Sequence, residues 1–229
     1  MATADYIVRV ENHSKGYQNY VFLNDPPALE VGSGAKPKVW PIVWQSNGSA
    51  PNSGSVQFTA KAANYAAAGT VKKVLDNNVK VISTIALNVE VKSAVKVGTK
   101  AAMELDGSGT PKFNPPYDAV AADSSFAIKT RPYDSITYRN IYCGYGKDDG
   151  GGGVTPVAGF MAQPEQLYQI TPSLKYFVGV GDQYPGTAVD IDTLEGREID
   201  FTTAKPGQTI ATVIQHDDDS FSEPKFSYP

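Results

Sequence analysis

From Val79 to Val97 every odd position except Ser83 and Ser93 is apolar: Val79, Val81, Ile85, Leu87, Val89, Val91, Val95 and Val97. The even positions are mostly polar or small. Successive strand side chains point to opposite faces, so this period of two marks a half-buried strand. At a helical period the same valines would smear around the axis instead of forming a stripe. Asp5–Glu11 and Ser55–Lys61 alternate in the same way, and Tyr17–Leu23 reads as a return strand, paired in a hairpin across the turn His13–Gly16. Val39–Trp44 is extended, with Pro41 placing it at an edge or a bulge. Ser46–Gly54 is a polar loop. Ala62–Leu75 has the alanines of a short helix but then Gly69, Thr70 and Val71, which favour strand. The segment Val79–Val97 exceeds the usual strand length of about 5–6 residues. It must bend, cross between sheets, or fold into a hairpin with its tip near Ala86-Leu87-Asn88.

Lys100–Leu105 is a further strand, after which Asp106–Pro111 and Asn114-Pro-Pro116 break the pattern. Short strands resume over Ser125–Thr130, Ser135–Gly146, Val154–Ala162, Leu167–Ile170, Leu174–Val180, Ala188–Ile191, Glu198–Thr202 and Thr209–Gln215. Regular strands punctuated by turns predict an all-β fold, mainly an antiparallel β-sandwich with little helix. A single domain over 1–229 is expected. The Gly/Pro-rich stretch 106–124 is the candidate boundary, and Phe113, Tyr117 and Val120 within it favour a connection inside one sandwich over a linker.

Composition narrows the partners. Lys+Arg 20 against Asp+Glu 24 leaves a net charge of −4, so the clustered cations of a nucleic-acid footprint are missing and membrane attraction is not expected. Cys143 stands alone, which excludes an internal disulfide and a cysteine-cluster metal site. The opening MATADYIVRVENHSKG has neither a basic segment nor an apolar run, so a cytoplasmic protein, or one exported without a classical signal, is expected. Asn12-His13-Ser14 and Asn47-Gly48-Ser49 have the form of glycosylation sequons.

The densest aromatic group is Tyr133, Tyr138, Tyr142 and Tyr145. On a strand, Tyr138, Asn140 and Tyr142 would share a face, an aromatic plate beside an amide, which is how sugar rings are commonly held. Core packing is the alternative, as it is for Trp40 and Trp44 beside Ile42. Asp217-Asp218-Asp219 and Asp190-Ile-Asp192-Thr-Leu-Glu195 are acidic strand ends of the kind calcium uses, though neither has EF-hand spacing. Asp148-Asp149-Gly150 to Gly153 lacks the lysine of a phosphate loop. A Cys143–His216 dyad would need the two to meet in space, and a mid-strand cysteine among tyrosines usually packs as a small hydrophobe. The pattern therefore favours a non-enzymatic protein.

Tyr6-Ile-Val-Arg-Val-Glu-Asn-His-Ser14 followed by Tyr20-Val-Phe-Leu-Asn-Asp-Pro-Pro27, with the later Val178-Gly-Val-Gly181 and Gly186-Thr-Ala-Val-Asp190, resembles a family of small, signal-less, β-rich fungal proteins. That group carries no established activity, so the resemblance implies a β fold and no site residue. The expected function is lectin-like recognition of a carbohydrate or of a protein surface through Tyr138, Asn140 and Tyr142, with the aspartates as a rim and calcium as the one conceivable cofactor. A structural, self-associating protein is the alternative, since long amphipathic strands and low net charge favour homo-oligomers. A membrane hairpin from Val79–Val97, as in pore-forming proteins, is the second.

Overall fold

A computed structural model describes residues 4–118 and 122–229. Its strands in chain order are β1 (Tyr6–Asn12), β2 (Gln18–Asn24), β3 (Ala28–Val31), β4 (Trp40–Pro41), β5 (Gln45–Ala50) and β6 (Ser55–Ala60). There follow β7 (Asn64–Val71), β8 (Val81–Val89), β9 (Lys100–Leu105), β10 (Pro111–Asp118), β11 (Phe126–Thr130) and β12 (Ile141–Asp148). The last six are β13 (Val154–Met161), β14 (Leu167–Thr171), β15 (Lys175–Val180), β16 (Gly196–Asp200), β17 (Ile210–Gln215) and β18 (Lys225–Ser227). Among the described residues, helix is confined to two 3₁₀ turns, Ile191–Thr193 and Phe201–Thr203.

The strands form four sheets, ordered β18-β17-β1-β6, β16-β15-β2-β5, β10-β9-β11-β14-β3 and β4-β13-β12-β7-β8. Pairing is antiparallel except for β1 with β17 and β9 with β11. The all-β sandwich expectation holds. The first two sheets face each other through aromatic pairs, with Phe22 stacked on Phe58 at 5.1 Å and Tyr6 against Tyr176 at 6.3 Å. The other two close over Phe126–Tyr145 and Phe160–Tyr168. Trp44 joins the two sandwiches: its ring stacks on Phe22 and its indole N–H donates to the Asp148 carbonyl at 3.1 Å. One buried cluster draws on all four sheets. Each buried large apolar side chain contributes about 1.5–3 kcal/mol by leaving water.

The fourth sheet closes on itself. Val43 and Val189 donate to the carbonyls of Thr187 and Pro41, while Ala188 and Val81 donate to those of Val79 and Gly186. Residues 186–189 thus bridge β4 to the start of β8 and complete a ring of backbone pairing, which removes the sheet edge at that end. Trp40, Ile42, Leu75, Val79, Val81 and Tyr142 fill the space under this closure.

Several expectations change. β1 and β2 are not a hairpin. β2 is buried on both faces from Tyr20 to Asn24, so it takes a central place between β15 and β5, while β1 lies between β17 and β6. The crossing between sheets is held by Asn12, whose amide donates to the Gly16 and Ala50 carbonyls. The polar loop Ser46–Gly54 holds most of β5, an exposed edge strand laddered to β2, with the Ser49 amide also donating to the Asn19 side-chain oxygen. Ala62–Leu75 yields strand β7, where Ala66, Ala67 and Ala68 are fully buried. The break at 106–124 contains a strand: Asp106 closes a tight turn by accepting from the Ser108 and Thr110 amides, and β10 returns along β9. Phe113 there packs on the core. Val120 lies outside the described residues.

The long apolar stripe is a single strand only as far as Val89. Ser93 and Lys96 then exchange backbone hydrogen bonds in a tight turn, leaving Val95 87% and Val97 62% exposed. Ala86-Leu87-Asn88 lies within β8, paired with β7. No hairpin tip forms there.

Candidate ligand-binding cleft

Strand alternation sends Ala101 and Met103 of β9 into the core and leaves Lys100, Ala102 and Glu104 on the outer face of the third sheet. Register carries a row across four strands: Asn114 of β10 opposite Ala102, Ala102 beside Lys129 of β11, and Lys129 opposite Leu167 of β14. Alanine is the short member, so the row dips at Ala102. One rung along, Asp118 faces Lys100, and on the other side Lys112 faces Glu104. Asn114 and Asp118 pair with Ala102 and Lys100, so four steps of β10 match two of β9 and the intervening residues arch outward. Pro115 and Pro116 have no N–H to give the ladder, which is why the arch sits there. Arch and dip together make a cleft of about 560 Å³, lined by Lys100, Ala102, Glu104, Asn114, Pro115, Asp118, Lys129, Arg131 and Leu167.

The charges in it are unevenly matched. Lys100 pairs with Asp118 at 2.9 Å, and Glu104 with Lys112 at 3.1 Å. Lys129 reaches only a neutral group, the Glu165 carbonyl, at 2.6 Å. Arg131 has no ion pair among the described residues, and its backbone amide is held by the Met103 carbonyl. Lys129 lies on β11 and Arg131 directly follows its last residue, and both line the cleft, roughly 7 Å from each other at strand spacing. Their repulsion is about 0.6 kcal/mol at the dielectric of water. In a chain of net charge −4, this is a local surplus of positive charge over a concave floor.

The residues expected from the sequence lie elsewhere. Tyr138 and Asn140 precede β12 in a turn spanning 135–140, and only Tyr142 is on the strand, so the three do not share a face. Tyr138 packs its ring on Gly109, leaving no space for a Cβ there. Asn140 donates its amide to the Lys72 carbonyl. Tyr142 is fully buried, bonds the Thr84 hydroxyl at 2.7 Å, and has its phenol pushed up by that burial. The aromatic platform does not form because the 72–80 segment covers Tyr142 from outside. Trp40 and Trp44 are both buried, but in different clusters.

Asp217 and Asp218 line a second, shallower recess of about 530 Å³ together with His216 and His13, so the fold brings the two histidines to one place. Asp219 instead closes the turn at φ 65°. Ser220's hydroxyl and then its amide bond the Asp218 carboxyl and hold it below the ordinary carboxylate range. Among the described residues no group of three or more His, Cys, Asp or Glu is arranged to hold a metal ion. Asp190 caps the 3₁₀ turn at Ile191–Thr193, and Asp149 accepts from the Gly151 and Gly153 amides in the turn between β12 and β13. Cys143 sits in the core with its thiol pushed far up by desolvation, whereas His216 lies in an exposed turn. A thiolate nucleophile is not available there.

The cleft went unnoticed in the sequence because its members come from four strands whose order, including the parallel β9–β11 pair, has no local signal. The one usable hint is Lys129-Thr-Arg131, two cations at strand spacing closing the apolar run Phe126-Ala-Ile128. Comparison with known proteins finds no family model, no curated protein and no solved structure that matches this chain.

Proposed function

We propose that the protein is a non-enzymatic, lectin-like recognition domain that takes a carbohydrate in the cleft of the third sheet. The observation that carries this is the convergence of hydrogen-bonding side chains from two strands and the end of a third, Lys100, Asn114 and Arg131, around the short floor residue Ala102. Ligand sites of this size are concave, with an apolar floor and a few polar groups that fix orientation. A glycan array run with and without calcium tests the proposal, using wild type and Ala102→Trp, which fills the floor. Saturable binding that the tryptophan removes is expected. A blank array, or binding indifferent to Ala102→Trp, would sink it.

A second function, self-association, is favoured by β8. It pairs with β7 through eight residue pairs, carries no charge from Val81 to Val89, and beyond the closure at Val81 is the last strand of its sheet. Edges without charged side chains template pairing with another chain. Sedimentation at two protein concentrations separates the two functions: concentration-dependent assembly without ligand belongs to the second.

A further inference from the structure

We infer that the ligand of this cleft is an anionic sugar, one bearing a carboxylate or sulfate, clasped by Arg131 and Lys129. The inference rests on the cleft being the binding site proposed above. Both carboxylates in the cleft already have a lysine, Asp118 with Lys100 and Glu104 with Lys112. The two cations at the end of β11, Lys129 on the strand and Arg131 just past it, are left without a counter-charge and both line the cleft. A planar guanidinium with no ion-pair partner presents its fork to a carboxylate or sulfate in two parallel hydrogen bonds. Lys129, beside Ala102 in the register, supplies a second donor at the cleft floor. Asn114, opposite Ala102 on the other side, offers amide N–H and carbonyl to ring hydroxyls. An uncharged sugar is instead usually seated on an aromatic face, and the lining here contains no aromatic residue.

The test is calorimetric titration with short oligogalacturonates, with the same oligomers after methyl esterification, and with a sulfated oligosaccharide of similar length. The ester keeps the sugar and removes the charge. Oligogalacturonate binding is expected to weaken as salt rises and to fall at least about tenfold in Arg131→Gln, with Lys129→Gln in the same direction. The esters are expected to bind far more weakly. Arg131 is exposed, so the variant keeps its fold, which a thermal melt verifies. Sulfated-sugar binding that depends on Arg131 upholds the anionic class and assigns its source to sulfate. Equal binding of acid and ester, unchanged by Arg131→Gln, overturns the inference while leaving a carbohydrate ligand in place. If none of the three sugars binds, this inference falls, and the glycan array alone decides the carbohydrate function.

Discussion

Lys147 is a cation where the fold leaves little water. It is only 5% exposed on β12, and its ammonium donates to the Lys61 carbonyl at 3.0 Å and to the Asn64 side-chain oxygen at 3.1 Å. The same Asn64 oxygen accepts from the Tyr145 hydroxyl. Burial disfavours the charged amine and brings its pKa down from 10.5 to about 8, against a smaller opposing pull from Asp5. Below pH 8 both folded and unfolded chains hold the proton, and the cost of burying the charge is fully present. The gap between 10.5 and about 8, at about 1.4 kcal/mol for each pH unit, comes to about 3 kcal/mol. As pH rises through this window the native amine deprotonates first. The unfolded state then binds more protons, so stability rises with pH. Above pH 10 the sign reverses, because burial pushes the Tyr20 and Tyr168 phenols up to about 12 and the unfolded tyrosines ionise first. Urea denaturation of wild type and Lys147→Met at intervals from pH 7 to 11 isolates the lysine by difference. Wild type is expected to gain up to about 3 kcal/mol on the variant between pH 8 and 10 and to peak near pH 10. At pH 7 the two should be similar, since methionine removes the desolvation cost along with two charged hydrogen bonds worth about 1.5–3 kcal/mol each. Parallel curves through the window would refute a desolvated Lys147.

Three further outcomes follow from burial and close approach. Tyr142→Ala empties a site enclosed by Ile42, Leu75 and Val79 and should cost about 3–5 kcal/mol in urea denaturation. Tyr142→Phe, which loses only the Thr84 hydrogen bond, should cost about 1 kcal/mol, and equal costs would place the ring outside the core. Gly69→Ala should prevent folding to the native sheet, because its Cβ would overlap the Ser83 carbonyl of the neighbouring strand; a native-like circular dichroism spectrum and melt would contradict that packing. Cys143 should resist a thiol-reactive dye in the native protein and react stoichiometrically in denaturant, and fast native labelling would show that the thiol is not enclosed.

How far the sequence was legible depended on whether a strand carries a one-sided pattern. β1, β6, β9 and β17 alternate because one face is core, and their sequence pattern places them within a residue or two. β5 was missed because an exposed edge strand is held by backbone hydrogen bonds and writes nothing into its side chains. β7 was ambiguous because a strand buried on both faces against close neighbours selects alanine and glycine, residues a helix also accepts. Asn12, the first residue of a glycosylation sequon, is fully buried and serves as a hydrogen-bonding post for a crossing between sheets. A tripeptide cannot reveal that.

The tyrosine site failed for a similar reason. Period two correctly predicts that alternate residues share a face, but Tyr138 and Asn140 are not on the strand, and the segment that covers Tyr142 arrives from residues 72–80. By itself the sequence determined the all-β class, most strands and the burial of the single thiol, because each follows from local alternation and the cost of exposing apolar surface. Tertiary structure alone decided which strands became neighbours and which outward-facing residues met over Ala102. Strand order is fixed by long-range pairing, whose register and partner are set by the whole core and by no single segment of the chain.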